Sequence, residues 1–156
     1  MIHRGIAAIS MALAVCFLLL SHFDAQFFLI HFYESLIYLA IVLMLFYFED
    51  RWAYMMGIVA PGIWLVLTAT WSGVPAIARQ VWLALHPGSA FYATNLLATV
   101  ALTLSVVMMI GCANRWHREF AGQRKGWSTL FISLAIATAY YSVVVVWILR
   151  WPPAAS

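Results

Sequence analysis

The chain has 156 residues, of which 66% are hydrophobic and only 8% are charged, and its formal net charge is +3. Soluble domains carry roughly a quarter of their residues as charges, so this composition excludes a soluble protein and predicts one domain surrounded by lipid. In lipid, only helices and closed barrels satisfy every backbone hydrogen bond, and the unbroken apolar runs favour helices over the alternating pattern of a barrel.

Five segments are apolar over about 20 residues, the length that crosses a bilayer. They are residues 5–21, 27–48, 52–71, 91–113 and 128–149. Between the third and fourth segments, SGVPAIARQVWLALHPGS is too short and too interrupted by proline to cross. Apolar residues recur in it every four positions, which predicts a short helix lying flat on the membrane surface. The sequence therefore predicts an all-α integral membrane protein, a bundle of five transmembrane helices with one interfacial helix.

The basic residues predict the orientation of this bundle. Two of the eight, Arg79 and Arg150, lie on one side of the predicted membrane, and the other six lie on the opposite side: Arg4, Arg51, Arg115, Arg118, Arg124 and Lys125. Loops rich in lysine and arginine stay in the cytoplasm. We therefore expect the N-terminus in the cytoplasm and the C-terminus outside, in an inner membrane of bacterial type.

Polar residues interrupt the apolar second segment. His31, Glu34 and Tyr38 are spaced i, i+3, i+7 and so share one helix face, with Glu34 ~10 Å inside the apolar slab. Ionisable side chains at such depth face the interior of a bundle rather than lipid. Counting inward along the fourth and fifth segments brings polar residues to similar depths. The predicted buried polar cluster is His31, Glu34, Tyr38, Asn95, Thr99, Tyr141 and Ser142.

Three interpretations of this cluster are open. In the first it is structural, with a neutral Glu34 carboxyl hydrogen-bonded across helices. In the second, His31 and Glu34 carry protons or ions. In the third the cluster binds a redox ligand, either a quinone head group held by His31, Glu34 and Tyr38 or a haem or chlorophyll-type pigment on His31. A metal site from His22, Asp24, His31 and Glu34 is a weaker idea, because carboxylate metal centres in bundles need several acids and the chain has five.

The segment NRWHREFAGQRKGW is basic and aromatic. It contains Arg115, Arg118, Arg124 and Lys125, which we expect to contact anionic lipid head groups or to dock a partner subunit. No basic domain suited to nucleic acid is present in the sequence.

The sequence does not predict an enzyme, because it contains no nucleophile–base motif and no glycine-rich phosphate loop. The function it favours is that of a non-catalytic accessory subunit, packed against other integral subunits of a larger respiratory or photosynthetic complex. The alternative is a protein that uses His31 and Glu34 to bind a quinone, haem or pigment, or to carry protons or ions.

Overall fold

The structure, a computed structural model, describes residues 2–47, 50–88, 91–120 and 126–150. Within these ranges the chain is all helical and has no β-strand. Its α-helices are α1 (Ile2–Phe23), α2 (Phe28–Phe46), α3 (Asp50–Ser72), α4 (Val74–Ala84), α5 (Tyr92–Phe120) and α6 (Gly126–Arg150). All of them except α4 are long and apolar enough to cross a membrane. The predicted set of five long apolar helices is therefore confirmed.

The five long helices share one buried core, and the short α4 lies beside it. In the core, α1 packs against α2 and α5, and α3 packs against α2 and α5. Helix α6 packs against α3, and the short α4 lies against α5 and α3. Because short connections make consecutive long helices alternate in direction, the bundle has two distinct ends. We call the end where α1, α3 and α6 finish the cavity end, and the opposite end, which carries Asp50, Arg51, Arg115, Arg118 and Glu119, the charged end.

Small residues bring α3 and α5 close together near the charged end. A Cβ atom added to Gly57 would lie 2.5 Å from the Cys112 Sγ atom and 3.1 Å from the Met108 Cε atom. Real Cβ atoms essentially never make a contact as short as 2.5 Å, so the glycine leaves the space that the Cys112 side chain of α5 occupies. Elsewhere in the core, the Ser10 hydroxyl donates to the carbonyl oxygen of Tyr38 at 2.8 Å and links α1 to α2.

Helix α5 is longer than the apolar segment from which it was predicted. It continues to Phe120, although residues 114–120 read as the beginning of a loop. The extension has local causes: Arg115 forms an i, i+4 ion pair with Glu119, and the ring of Phe120 lies 5.2 Å from Trp116 and 6.3 Å from Tyr54. These contacts pack the last described turn of α5 against α3.

The short helix predicted between the third and fourth segments is present as α4. Gly73 precedes it with φ = +76°, a conformation that side chains rarely adopt, and Pro75 stands in its first turn. After this turn the chain changes direction at the cavity end, and α4 packs against α5 and α3. Gln80 then faces a cavity inside the bundle, while Val74 and Trp82 are exposed.

Candidate functional site

Three ionisable side chains form a row at the cavity end. The Nδ1 atom of His31 lies 3.1 Å from the Glu34 carboxylate, and its Nε2 atom lies 3.8 Å from the Asp24 carboxylate. The first distance is a hydrogen bond, whereas the second is an ion-pair distance beyond hydrogen-bonding reach. An imidazole between two carboxyl groups can accept a proton on one side and release it on the other. We call Asp24, His31 and Glu34 the acid–imidazole row.

Local sequence explains why these three side chains meet. His31 and Glu34 are neighbours on one face of α2 because three residues separate them on the helix. Asp24 joins them from the turn between α1 and α2. Its carboxylate accepts a hydrogen bond from the backbone N–H of Phe27 at 3.4 Å and caps a single 3-10 turn, Ala25–Phe27. That turn folds Asp24 back alongside the start of α2.

The row opens into a cavity of about 450 Å³ that all six α-helices line, α1 through Leu20 in its last turns. Apolar and aromatic side chains form most of the wall, among them Leu20, Trp64 and Trp71, and polar side chains add Thr68, Gln80 and Thr94. Small-molecule sites are typically concave, mostly apolar and equipped with a few converging polar groups. The cavity has these properties.

An aromatic layer closes the cavity on the side of the charged end. Phe17 is fully buried at its centre. Its ring stacks on Tyr38 at 5.4 Å between centroids and meets Trp64 edge-on at 5.3 Å, with the His31 ring 6.4 Å away. Offset-stacked and edge-on arrangements are the favourable ones for aromatic pairs. This layer separates the acid–imidazole row from the rest of the core.

Below Glu34 lies a group of buried hydroxyls. Tyr38 of α2 lies near Ser105 of α5 and Tyr141 of α6, and all three residues are at most 1% exposed. The Tyr38 hydroxyl is near enough to interact with those of Ser105 and Tyr141, although within the described ranges none of the three makes a hydrogen bond of ordinary geometry. Most buried polar atoms in proteins have hydrogen-bond partners, so a group of buried hydroxyls is an unusual feature. It is the second polar feature at this end of the bundle, next to the row.

The structure brings some of the predicted cluster together and separates the rest. His31, Glu34, Tyr38 and Tyr141 lie around the row and the hydroxyl group below it. Ser142 is exposed instead, and its hydroxyl donates to the carbonyl oxygen of Ala139 at 2.7 Å. Adjacent helix residues point about 100° apart, and of these two only Tyr141 faces inward.

On α5 the cavity wall is formed by residues other than the predicted ones. Asn95 and Thr99 are half-buried, and the Thr99 hydroxyl donates to the carbonyl oxygen of Asn95, within the same helix, at 2.8 Å. The α5 residues that line the cavity are Thr94 and Ala98. Polar residues spaced four apart lie on one face of a helix, but this spacing does not show which face packs against the neighbouring helices.

Three residues at the site were not predicted in their present places. Gln80 and Ser105 had no predicted role at the site, and Asp24 was predicted only as a possible metal ligand. Ser105 has a detectable signal, because it lies four residues after Ala101 and seven before Cys112 on a stripe of small residues. For Gln80 the signal is its place near the middle of α4, where it is the uncharged polar residue next to Arg79. For Asp24 the signal is its place as a capping residue directly before the second apolar segment.

The predicted basic docking segment is only partly described. Arg115 and Arg118 lie in the last turns of α5 rather than in a loop, and the Arg115 guanidinium is paired with Glu119. Arg124 and Lys125 lie outside the described residues. The described part of the segment is thus a helix end with one internal ion pair.

For the metal idea, the described residues contain no group of three His, Cys, Asp or Glu side chains that could hold an ion. His22 is exposed and its ring packs on Phe23 rather than toward the row. His31 keeps its Nε2 atom on the side of the cavity that also holds Asp24.

Comparison with protein-family models, curated proteins and solved structures finds no match for this chain. The function of the protein is therefore inferred from the chemistry of the row and the cavity.

Proposed function

We propose that the chain is an integral membrane protein that binds the neutral, quinone-type head group of a lipophilic molecule in the cavity. The observation that carries this proposal is the acid–imidazole row, which opens into a cavity of about 450 Å³ with mostly apolar walls. His31 and Glu34 offer a hydrogen-bond donor and an acceptor to the carbonyl or hydroxyl oxygens of such a ring.

A neutral head group suits the balance of charge in the row. One basic side chain, His31, faces two acidic ones, Asp24 and Glu34, so the row offers no excess of positive charge to an anionic ligand. A neutral ring can then exchange hydrogen bonds with the row and requires no counter-ion.

The membrane placement is part of the proposal. Five long apolar helices support it, and the basic residues gathered at the charged end support a cytoplasmic N-terminus and an outside C-terminus in a bacterial-type inner membrane. The cavity end would then lie at the outer surface, with α4 lying along it. Reporter fusions test this: a C-terminal alkaline phosphatase should be active, and a C-terminal fluorescent reporter that folds only in the cytoplasm should be dark. The reverse pattern would refute the orientation.

The role of accessory subunit remains a prediction. Exposed apolar side chains cover the outer faces of the long helices, and lipid or a neighbouring subunit would cover them equally well. The cavity gives a specific reason to prefer ligand binding. A quinone-binding protein of this size could also belong to a respiratory or photosynthetic complex, so the two functions are compatible.

The binding test uses purified protein in lipid nanodiscs and a short-chain benzoquinone. Trp64 and Trp71 line the cavity, so a bound quinone should quench tryptophan fluorescence in a saturable way. His31→Leu and Glu34→Leu each remove one hydrogen-bonding partner, and we expect about tenfold weaker binding in each, since a factor of ten corresponds to about 1.4 kcal/mol. Glu34→Gln should assemble nearly normally, because the amide has the shape of the carboxyl and keeps an oxygen acceptor.

Glu119→Gln is the matched control, since Glu119 lies at the charged end, away from the cavity. It should bind the quinone like the wild type. Equal quenching by the wild type and both leucine variants would contradict the proposal. Saturable binding of a lipophilic cation in place of the quinone would contradict the neutral head group.

A further inference from the structure

A second depression lies directly beside the cavity. It is a groove of about 210 Å³ between α2 and α6, and its walls are apolar. Leu29, Phe32 and Leu36 line it from α2, and Val143 and Trp147 line it from α6. Leu29, Phe32, Leu36 and Val143 are between 40% and 51% exposed, so the groove faces the outside of the bundle.

The groove and the cavity share a wall. Ile30 of α2 and Val144 of α6 line both of them. The next residue on α2 is His31, the centre of the acid–imidazole row, which lines the cavity but not the groove. The two spaces are therefore separated by little more than two aliphatic side chains, and such side chains change rotamer easily compared with a backbone.

A pair of tyrosines holds α2 and α6 together beside this wall. The rings of Tyr33 and Tyr140 stack with centroids 4.3 Å apart. The Tyr33 hydroxyl donates to the carbonyl oxygen of Tyr140 at 3.3 Å, and the Tyr140 hydroxyl donates to the carbonyl oxygen of Tyr33. On α6, every residue that lines the groove lies on the cavity-end side of Tyr140. The two tyrosines thus hold α2 and α6 together at one level, and the groove lies between the same two helices on the cavity-end side of that level.

We propose that the ligand is a single-tailed isoprenoid quinone that enters sideways from the bilayer, with its head at the row and its tail between α2 and α6. The inference rests on the proposed function. Its own support is the shared wall, which joins the cavity that holds the acid–imidazole row to an outward-facing apolar groove. A hydrocarbon tail matches the groove, and a hydrogen-bonding ring matches the cavity.

The test compares two ligands with the same benzoquinone ring, one with a long isoprenoid tail and one without a tail. Val143→Phe fills the groove at an exposed position, and Val146→Phe is its control, since Val146 is equally exposed on α6 and lines neither space. We expect Val143→Phe to weaken binding of the tailed quinone about tenfold and that of the tail-less quinone less than threefold. Val146→Phe should change neither.

The outcomes separate the two proposals. If the wild type binds neither quinone, the proposed function fails. If it binds both and Val143→Phe weakens both equally or neither, the function stands and the sideways route fails. A second measurement uses a tailed quinone brominated along its tail: Trp147 lines the groove, so the extra quenching by bromine should disappear in Trp147→Phe. Unchanged bromine quenching in that variant would also refute the route.

Discussion

The two halves of the bundle are built from the same helices but are packed in opposite ways, and α3 shows the contrast most clearly. In its first half, the buried Ala53, Gly57 and Ala60 let α5 approach until no room for a Cβ atom remains at Gly57. In its second half, Trp64 and Trp71 line an open cavity. Small residues close the bundle at the charged end, and bulky aromatic residues hold it open at the cavity end. On this one stripe of α3, the side chains are small near the charged end and aromatic beside the cavity.

The largest effect should come from removing the layer between the two halves. Phe17→Ala deletes a fully buried ring that contacts Tyr38 and Trp64. We expect the free energy of unfolding to fall by about 3–5 kcal/mol, as for other buried phenylalanines, and quinone binding to weaken because the cavity loses its floor. Equilibrium unfolding in mixed detergent micelles measures the change. Phe46→Ala, at a position 70% exposed, should cost about 0.5 kcal/mol or less; similar losses in both variants would show that Phe17 does not hold the layer.

The next effect tests the close packing of the charged half. Gly57→Ala places a Cβ atom 2.5 Å from the Cys112 Sγ atom, and we expect about 1–3 kcal/mol of destabilisation from this overpacking. Adding Cys112→Ala removes the clashing sulfur and should restore part of the loss. Gly111→Ala is the matched control, since a Cβ atom there meets nothing within 4 Å and alanine favours a helix. A Gly57→Ala protein as stable as Gly111→Ala would mean that the halves do not differ in packing.

This contrast also explains how much could be predicted from the sequence. Segment length and hydropathy were sufficient for the five long helices, and the spacing of His31, Glu34 and Tyr38 was sufficient to put them on one face. The residues of other helices that lie opposite this face could not be predicted from spacing alone. On α5, Asn95 and Thr99 have the same helical spacing as Thr94 and Ala98, and only the neighbouring helices decide which pair lines the cavity. The cavity itself depends on where aromatic and small residues meet in three dimensions, which spacing along one chain does not contain.

A smaller effect tests the tie at the cavity half. Tyr140→Leu removes both the ring stacked on Tyr33 and the hydroxyl that reaches the Tyr33 carbonyl, whereas Tyr140→Phe removes the hydroxyl alone. We expect the leucine variant to be about 0.5–1.5 kcal/mol less stable than the phenylalanine variant, the usual contribution of an aromatic pair beyond its buried area. Unfolding of the two purified variants in the same micelles gives this difference directly. Equal stabilities would mean that the stack does not hold α2 against α6.

The smallest effect concerns the link between α1 and α2. Ser10→Ala removes the hydrogen bond to the Tyr38 carbonyl, 2.8 Å long and fully buried between the two helices. Hydrogen bonds between membrane helices contribute about 0.6 kcal/mol on average, so the loss should be near that value. Ser142→Ala is the control, since that exposed hydroxyl bonds only to the carbonyl of Ala139 in its own helix and should cost close to nothing. If Ser10→Ala and Ser142→Ala unfold alike, the hydrogen bond contributes little, and the stability of the α1–α2 pair comes from the apolar and aromatic contacts around Phe17.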